Sequence, residues 1–159
     1  DTDVEVLKSF NPLLEAQCIL GMEEKEYVAT SFMAFEKGHP LVKEFLNLYE
    51  HLSFLDEKGQ IIAGTNVAKL TKMLKEKGFV QENHYQELEN GIQIYPKEFF
   101  SPYDYINCHY NITENSYCVH HFAVSWMSKK EQVKKGIKKR IVKILGPEKM
   151  NGIREKLKR

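Results

Sequence analysis

Two carboxylates open the chain, as Asp1-Thr2-Asp3. Read as the end of an extended segment, where side chains alternate with period two, they face the same side and converge on one site. Paired hard oxygen donors suit Mg²⁺ or Mn²⁺, which keep positions for water and for a substrate diphosphate. A second group lies in Tyr117–Trp126, YCVHHFAVSW, where an apolar run ends in His120 and His121 and leads to Ser125 and the only Trp. Alternation sends the two imidazoles to opposite faces, so one site takes only one of them. Each signal is weak when isolated: Asp-x-Asp recurs by chance, and a lone His at a strand end is more often packed or solvated than a ligand.

Several elements must position these groups. Val4, Val6 and Leu7 form a short extended run that Ser9-Phe10-Asn11-Pro12 stops. Cys18–Met22 and Tyr27–Phe35 read as two strands or a hairpin. After Gly38-His39-Pro40, the spacing of Leu41, Phe45, Leu48, Tyr49 and Leu52 predicts an amphipathic helix. Gly64-Thr65-Asn66 opens a second helix, with Val67, Leu70, Thr71 and Leu74 as its stripe and Gly78 as its stop. Ile92–Tyr95 and Tyr117–Phe122 are further strands, with an aromatic loop, Phe99–Tyr103, between them. Strands mixed with helices predict an α/β fold.

The composition, 42% apolar and 28% charged over 159 residues, is that of a globular domain, and no apolar run reaches the roughly 20 residues of a membrane span. The net charge of +1 hides a division. Residues 129–159 hold 13 Lys and Arg against 3 Asp and Glu, which leaves 10 against 19 in residues 1–128. An acidic body of 1–128 thus carries a basic tail of 129–159, in which Val133, Ile137, Ile141, Ile144 and Leu145 share one helical face. Such a helix either lies on anionic membrane or packs its stripe on the body. The three cysteines Cys18, Cys108 and Cys118 form no disulfide framework and point to a reducing cytoplasm. A zinc site from Cys108, His109, Cys118 and His120 is conceivable but lacks the usual tight ligand pairs.

Five stretches, DTDVEVLKSFNPLL, FEKGHPLVKEFLNLY, GTNVAKLTKMLKEKGF, IYPKEFFSP and ITENSYCVHHFAVSW, occur in the order found in glycosyltransferase family 32, the group with a sugar-binding region containing a DXD motif. Up to about Trp126 the chain resembles its bacterial capsular polysaccharide branch, related to yeast initiating mannosyltransferases. The resemblance implies a GT-A fold and a retaining, Mn²⁺- or Mg²⁺-dependent transfer from a nucleotide-sugar donor to a carbohydrate or lipid-linked hydroxyl acceptor. It assigns Asp1 and Asp3 as the catalytic DXD pair, with Asp3 on the metal and Asp1 on metal or donor. His120 completes the metal site, and Ser125 and Trp126 close over the donor diphosphate. Thr65 and Asn66 match a substrate-facing helix start more loosely. Ala123 and Val124 replace residues that are often acidic or small in the family, so no acidic role carries over there.

In a GT-A fold the nucleotide-binding strands precede the DXD, so the chain is expected to be the later, C-terminal portion of a catalytic domain, ending in a basic amphipathic helix and inactive alone. The expected setting is cytoplasmic, with peripheral contact at the inner face of the membrane through 129–159 and no nucleic-acid partner. Asn111-Ile112-Thr113 is a formal glycosylation sequon, which lacks meaning without an export signal. Two rivals remain. A haloacid-dehalogenase-type phosphohydrolase also begins its site with Asp-x-Asp, but it wants Thr or Val where Glu5 stands, and further acidic ligands for which only Asp56 and Asp104 remain as aspartates. The other is a non-catalytic module that binds sugar or a membrane surface.

Overall fold

The computed structural model describes residues 2–24, 26–50, 52–53, 55–60, 65–104, 107–122, 129–146 and 149–150. After β1 (Val4–Val6), strands β2 (Cys18–Glu24) and β3 (Tyr27–Phe35) form the hairpin that their apolar runs predict. Its register shifts between Leu20 and Met22 and again between Met22 and Glu24. The first shift puts three extra residues in β3, and a slip by an odd number exchanges faces, which is how Val28 and Phe35, an odd number of residues apart, reach the same core.

The chain then runs through α1 (Pro40–Asn47) and α2 (Asn66–Glu76) to β4 (Gln86–Leu88) and β5 (Ile92–Tyr95). The four strands form a mixed sheet in the order β3-β2-β5-β4. Only β2 and β5 are parallel, and parallel neighbours need a long crossover, here the two helices. β2 has a neighbour on each side, and its first five residues are all buried, which is why it reads as an unbroken apolar run.

Alternation sorts the two faces. Cys18, Leu20 and Met22 with Ile92 and Ile94 meet Leu41 of α1 and Leu70, Met73 and Leu74 of α2. Fully burying one such side chain contributes roughly 1.5–3 kcal/mol. Ile19 and Tyr95 turn the other way, onto an aromatic layer with Phe10, Phe32, Tyr117, Phe100 of the short helix α3 (Lys97–Phe100) and Cys118 of the strand Cys118–His120. Between those two elements come β6 (Tyr103–Asp104) and β7 (His109–Tyr110), a small ribbon; the strand Cys118–His120 is β8. The described residues thus form an α/β fold with helices on one face of a mixed sheet and an aromatic layer on the other.

Local chemistry explains the helix ends. His39 caps α1: its Nδ1 accepts from the Leu41 N–H at 3.3 Å, which leaves Nε2 to donate to the Asn90 carbonyl at 2.9 Å. Gly78, at φ +96°, ends α2, with Phe79 N–H bonded to Leu74 O and Gly78 N–H to Lys75 O. This paired bonding past a left-handed glycine satisfies the last carbonyls, and Phe79 and Leu74 share the core beneath it.

Two expectations need correction. The periodicity predicts a first helix through Leu52, but α1 stops at Asn47. Beyond it Tyr49, Glu50 and Leu52 bond three residues back, to Leu46, Asn47 and Tyr49, so the chain tightens into turns and leaves Leu48, Tyr49 and Leu52 exposed. The segment read as an aromatic loop is instead α3 followed by β6, because Ser101 N–H bonds Lys97 O and Asn111 N–H bonds Pro102 O. In the tail, α4 spans Lys129–Leu145. Among the described residues no helix is long and apolar enough to cross a membrane.

Candidate functional site

β1 pairs antiparallel with β8, setting Val4 opposite His120, Glu5 opposite Val119 and Val6 opposite Cys118. The two stretches singled out for chemistry are therefore neighbours across one ladder. The aromatic layer fixes them to the main sheet: Phe10 stacks on Phe32 and Tyr117, and Phe32 lies on Phe100 with ring centroids 4.0 Å apart. The Tyr117 N–H bonds the Phe99 carbonyl at 2.7 Å, and the buried Cys118 thiol donates to the Phe100 carbonyl.

At the end of this ladder, Asp3 Oδ1 stands 3.2 Å from Nε2 of His120, both side chains partly buried. Burial pushes the His120 imidazole below its usual value, and the Asp3 carboxylate offsets this only in part. The ring is thus held neutral, the form that carries a lone pair. Phe122 covers it, with ring centroids 4.0 Å apart, from a backbone at φ +49°. A bulky residue in the left-handed region is strained by about 1–3 kcal/mol, and here the strained residue lies directly on the histidine.

His121 turns elsewhere. Its Nε2 donates to Glu5 Oε2 at 2.9 Å, and its Nδ1 accepts from the Tyr110 hydroxyl at 2.9 Å. The two imidazoles serve separate partners, as alternation requires. Burial, and next the Glu5 carboxylate, push the Tyr110 phenol up, so it stays protonated and able to donate.

The other predicted positions divide. Asp1, Ser125 and Trp126, with Ala123 and Val124, lie outside the described residues. Thr2 and Asp3 form a turn, not the extended segment expected, since pairing begins only at Val4; the period-two argument for a shared face of Asp1 and Asp3 does not apply. Thr65 is the N-cap of α2, its Oγ1 accepting from the Ala68 N–H at 3.1 Å, and Asn66 Oδ1 accepts from the Val67 N–H. Both side chains are engaged at the helix end.

Among the described residues no three His, Cys, Asp or Glu side chains converge for a metal, so the four-ligand zinc arrangement is not formed there. Burial pushes the Cys18 and Cys118 thiols up to about 12 and about 11, which keeps them protonated and unreactive. Asp56 accepts from the Lys58 and Gln60 N–H groups, and Asp104 binds Asn107 through both oxygens. The carboxylates that a phosphohydrolase would need as later ligands are spent on turns.

Asp3 and His120 suit a divalent ion in one respect. Adjacent ligands of an octahedral ion with bonds of about 2.1 Å stand about 3 Å apart, close to the separation of these two atoms. Glu5, Tyr110 and Phe122 are the residues that sequence reasoning passed over. Glu5 had a signal, two positions from Asp3 on a strand; Tyr110 and Phe122 had none. In comparisons with protein families, curated proteins and solved structures, nothing matches this chain.

Proposed function

We propose that the chain carries the metal-holding and closing part of a GT-A-type, family 32-like glycosyltransferase. The reaction moves a sugar from a nucleotide-sugar donor to a carbohydrate or lipid-linked hydroxyl with retention, in bacterial surface or capsular polysaccharide synthesis. The observation that carries the reading is the approach of Asp3 to His120, since the motifs that the resemblance pairs come from opposite ends of the body and meet across one ladder.

Asp3 and His120 would hold Mn²⁺ or Mg²⁺, with Asp1 as a further oxygen ligand. A divalent ion there would stabilise the negative charge on a departing nucleoside diphosphate. The protein's own part is positional. Without a ligand, Nε2–H of His120 faces the Asp3 carboxylate; with the proton moved to Nδ1, the Nε2 lone pair points where that hydrogen bond was. Burial keeps the ring neutral, and the Phe122 ring limits water on one side. Ser125 and Trp126 would close over the donor, the indole excluding water and donating through its N–H.

A panel of nucleotide sugars, given to the full-length protein with and without Mn²⁺, tests this reading. Nucleotide release from one donor, dependent on the ion and lost in Asp3→Asn, is the expected result. Sugar binding without release from any donor, with or without acceptor, would assign the chain to a non-catalytic sugar-binding module.

A further inference from the structure

α4 presents its apolar stripe outward. Val133, Ile137, Ile141, Ile144 and Leu145 are 61%, 54%, 41%, 81% and 39% exposed, while Val142 of the same helix is 4% exposed. At 100° per residue, the first four lie about 100° or more round the helix from Val142, and Leu145, the least exposed of the five, about 60°. The covered side of the helix is therefore not the stripe, and the packed-stripe alternative that the sequence leaves open does not fit.

Cations border the stripe. On the same projection Arg140 falls about 20° before Val133, and Lys134 about 20° beyond Ile141, between it and Leu145 at the edge of the stripe, each exposed. In sequence, α4 holds eight Lys and Arg against Glu131 as its one acid. A helix that inserts its apolar face at the level of lipid headgroups has this arrangement, with basic residues at both borders to meet phosphates. A protein partner matched to the stripe alone would not call for a strong excess of one charge.

We propose that α4 is an interfacial helix that seats the protein on an anionic lipid bilayer, with Val133, Ile137, Ile141 and Ile144 inserted and Lys134, Arg140 and Lys143 against the headgroups. It lies on the bilayer and does not span it.

Vesicle co-sedimentation of the full-length protein tests this without donor or metal, so its outcome is independent of the transferase reading. Binding is expected to vesicles of phosphatidylcholine with phosphatidylglycerol, at least about tenfold tighter than to phosphatidylcholine alone, and weakened by high salt. Ile137→Glu with Ile144→Glu, at exposed positions and with the fold checked by circular dichroism, should lower that binding at least about tenfold. Lys134→Gln with Arg140→Gln and Lys143→Gln should lower it and its salt sensitivity together. Equal binding to both vesicle types, no binding to either, or unchanged binding by the isoleucine variant overturns the proposal. So does a concentration-dependent dimer that the isoleucine variant disperses while vesicles go unbound, which would assign the stripe to a second copy of the chain.

Discussion

The Asp3 carboxylate lies against His120, although extending the β1–β8 register one residue past its last pair, Val4 with His120, would set Asp3 opposite His121. The His121 N–H even bonds the Asp3 carbonyl, at 3.0 Å. Regular alternation would then aim Asp3 at the face of His121, where Glu5 already sits. The turn at Thr2–Asp3 breaks the alternation and swings the carboxylate to the partly buried His120 imidazole.

The first prediction concerns the frame that holds this pair. A Cβ on Gly21 would come within 2.7 Å of Cδ2 of Phe100, a ring already stacked on Phe32. Gly21→Ala should cost about 1–3 kcal/mol. Adding Phe100→Leu should recover part of it in a double-mutant cycle, measured by urea unfolding; strictly additive losses would mean the two positions do not press on each other.

Thr65 separates a cap from a substrate contact. Its Oγ1 is bound to the Ala68 N–H, so Thr65→Ala should cost about 1 kcal/mol of stability and Thr65→Ser very little. If the hydroxyl serves only α2, donor KM stays within twofold or so of the parent in both variants. A large rise in KM for Thr65→Ala that Thr65→Ser rescues would return Thr65 to the substrate side.

Glu23 supplies a pH dependence. Burial, and next the Glu24 carboxylate, push it above the usual carboxylate range, against the pull of Lys97. The folded protein therefore keeps a proton on Glu23 that the unfolded chain releases near pH 4.5. Stability from this group is complete below that value and is lost as pH rises through the higher folded value. Glu23→Gln should melt above the parent at pH 7, and the gap should close toward pH 4. A gap that is constant with pH would show that Glu23 titrates alike in both states.

The Tyr110–His121–Glu5 chain is read as a tie between the β6–β7 ribbon and the β1–β8 ladder. Tyr110→Phe should cost about 0.5–1.5 kcal/mol, the net value of one hydrogen bond, without changing Mn²⁺ affinity more than a few fold. Loss of metal binding in this variant, with stability intact, would place His121 in the site instead.

How far the sequence carried depends on whether the signal was local. The β2–β3 hairpin, α2 with its start at Thr65-Asn66 and its stop at Gly78, and β5 follow from periodicity and punctuation within a dozen residues, whereas the sequence reads Thr65 as a substrate contact and not as the cap that its hydroxyl forms. The pairing of β1 with β8 does not, because nothing near Val4 specifies Cys118–His120 as its partner; long-range pairing depends on the aromatic layer beneath both. For the same reason the turn at Asp3 and the strained Phe122 were invisible, since Phe122 takes φ +49° only in the setting of the folded site. The short strands β4, β6 and β7 carry too few residues to show a period. Expecting α1 to reach Leu52 had another cause, because the apolar spacing persists after the helical bonding stops.

The most direct measurement is a Mn²⁺ titration followed by the electron paramagnetic resonance of the free ion, on the parent, Asp3→Asn, His120→Ala and His121→Ala. Parent and His121→Ala should bind with affinities within about threefold of each other, while Asp3→Asn and His120→Ala each lose at least about 100-fold, the upper end of what losing an outer-shell partner costs. Parent-like binding by a folded Asp3→Asn or His120→Ala, or the larger loss falling on His121→Ala, would contradict a metal site at Asp3 and His120.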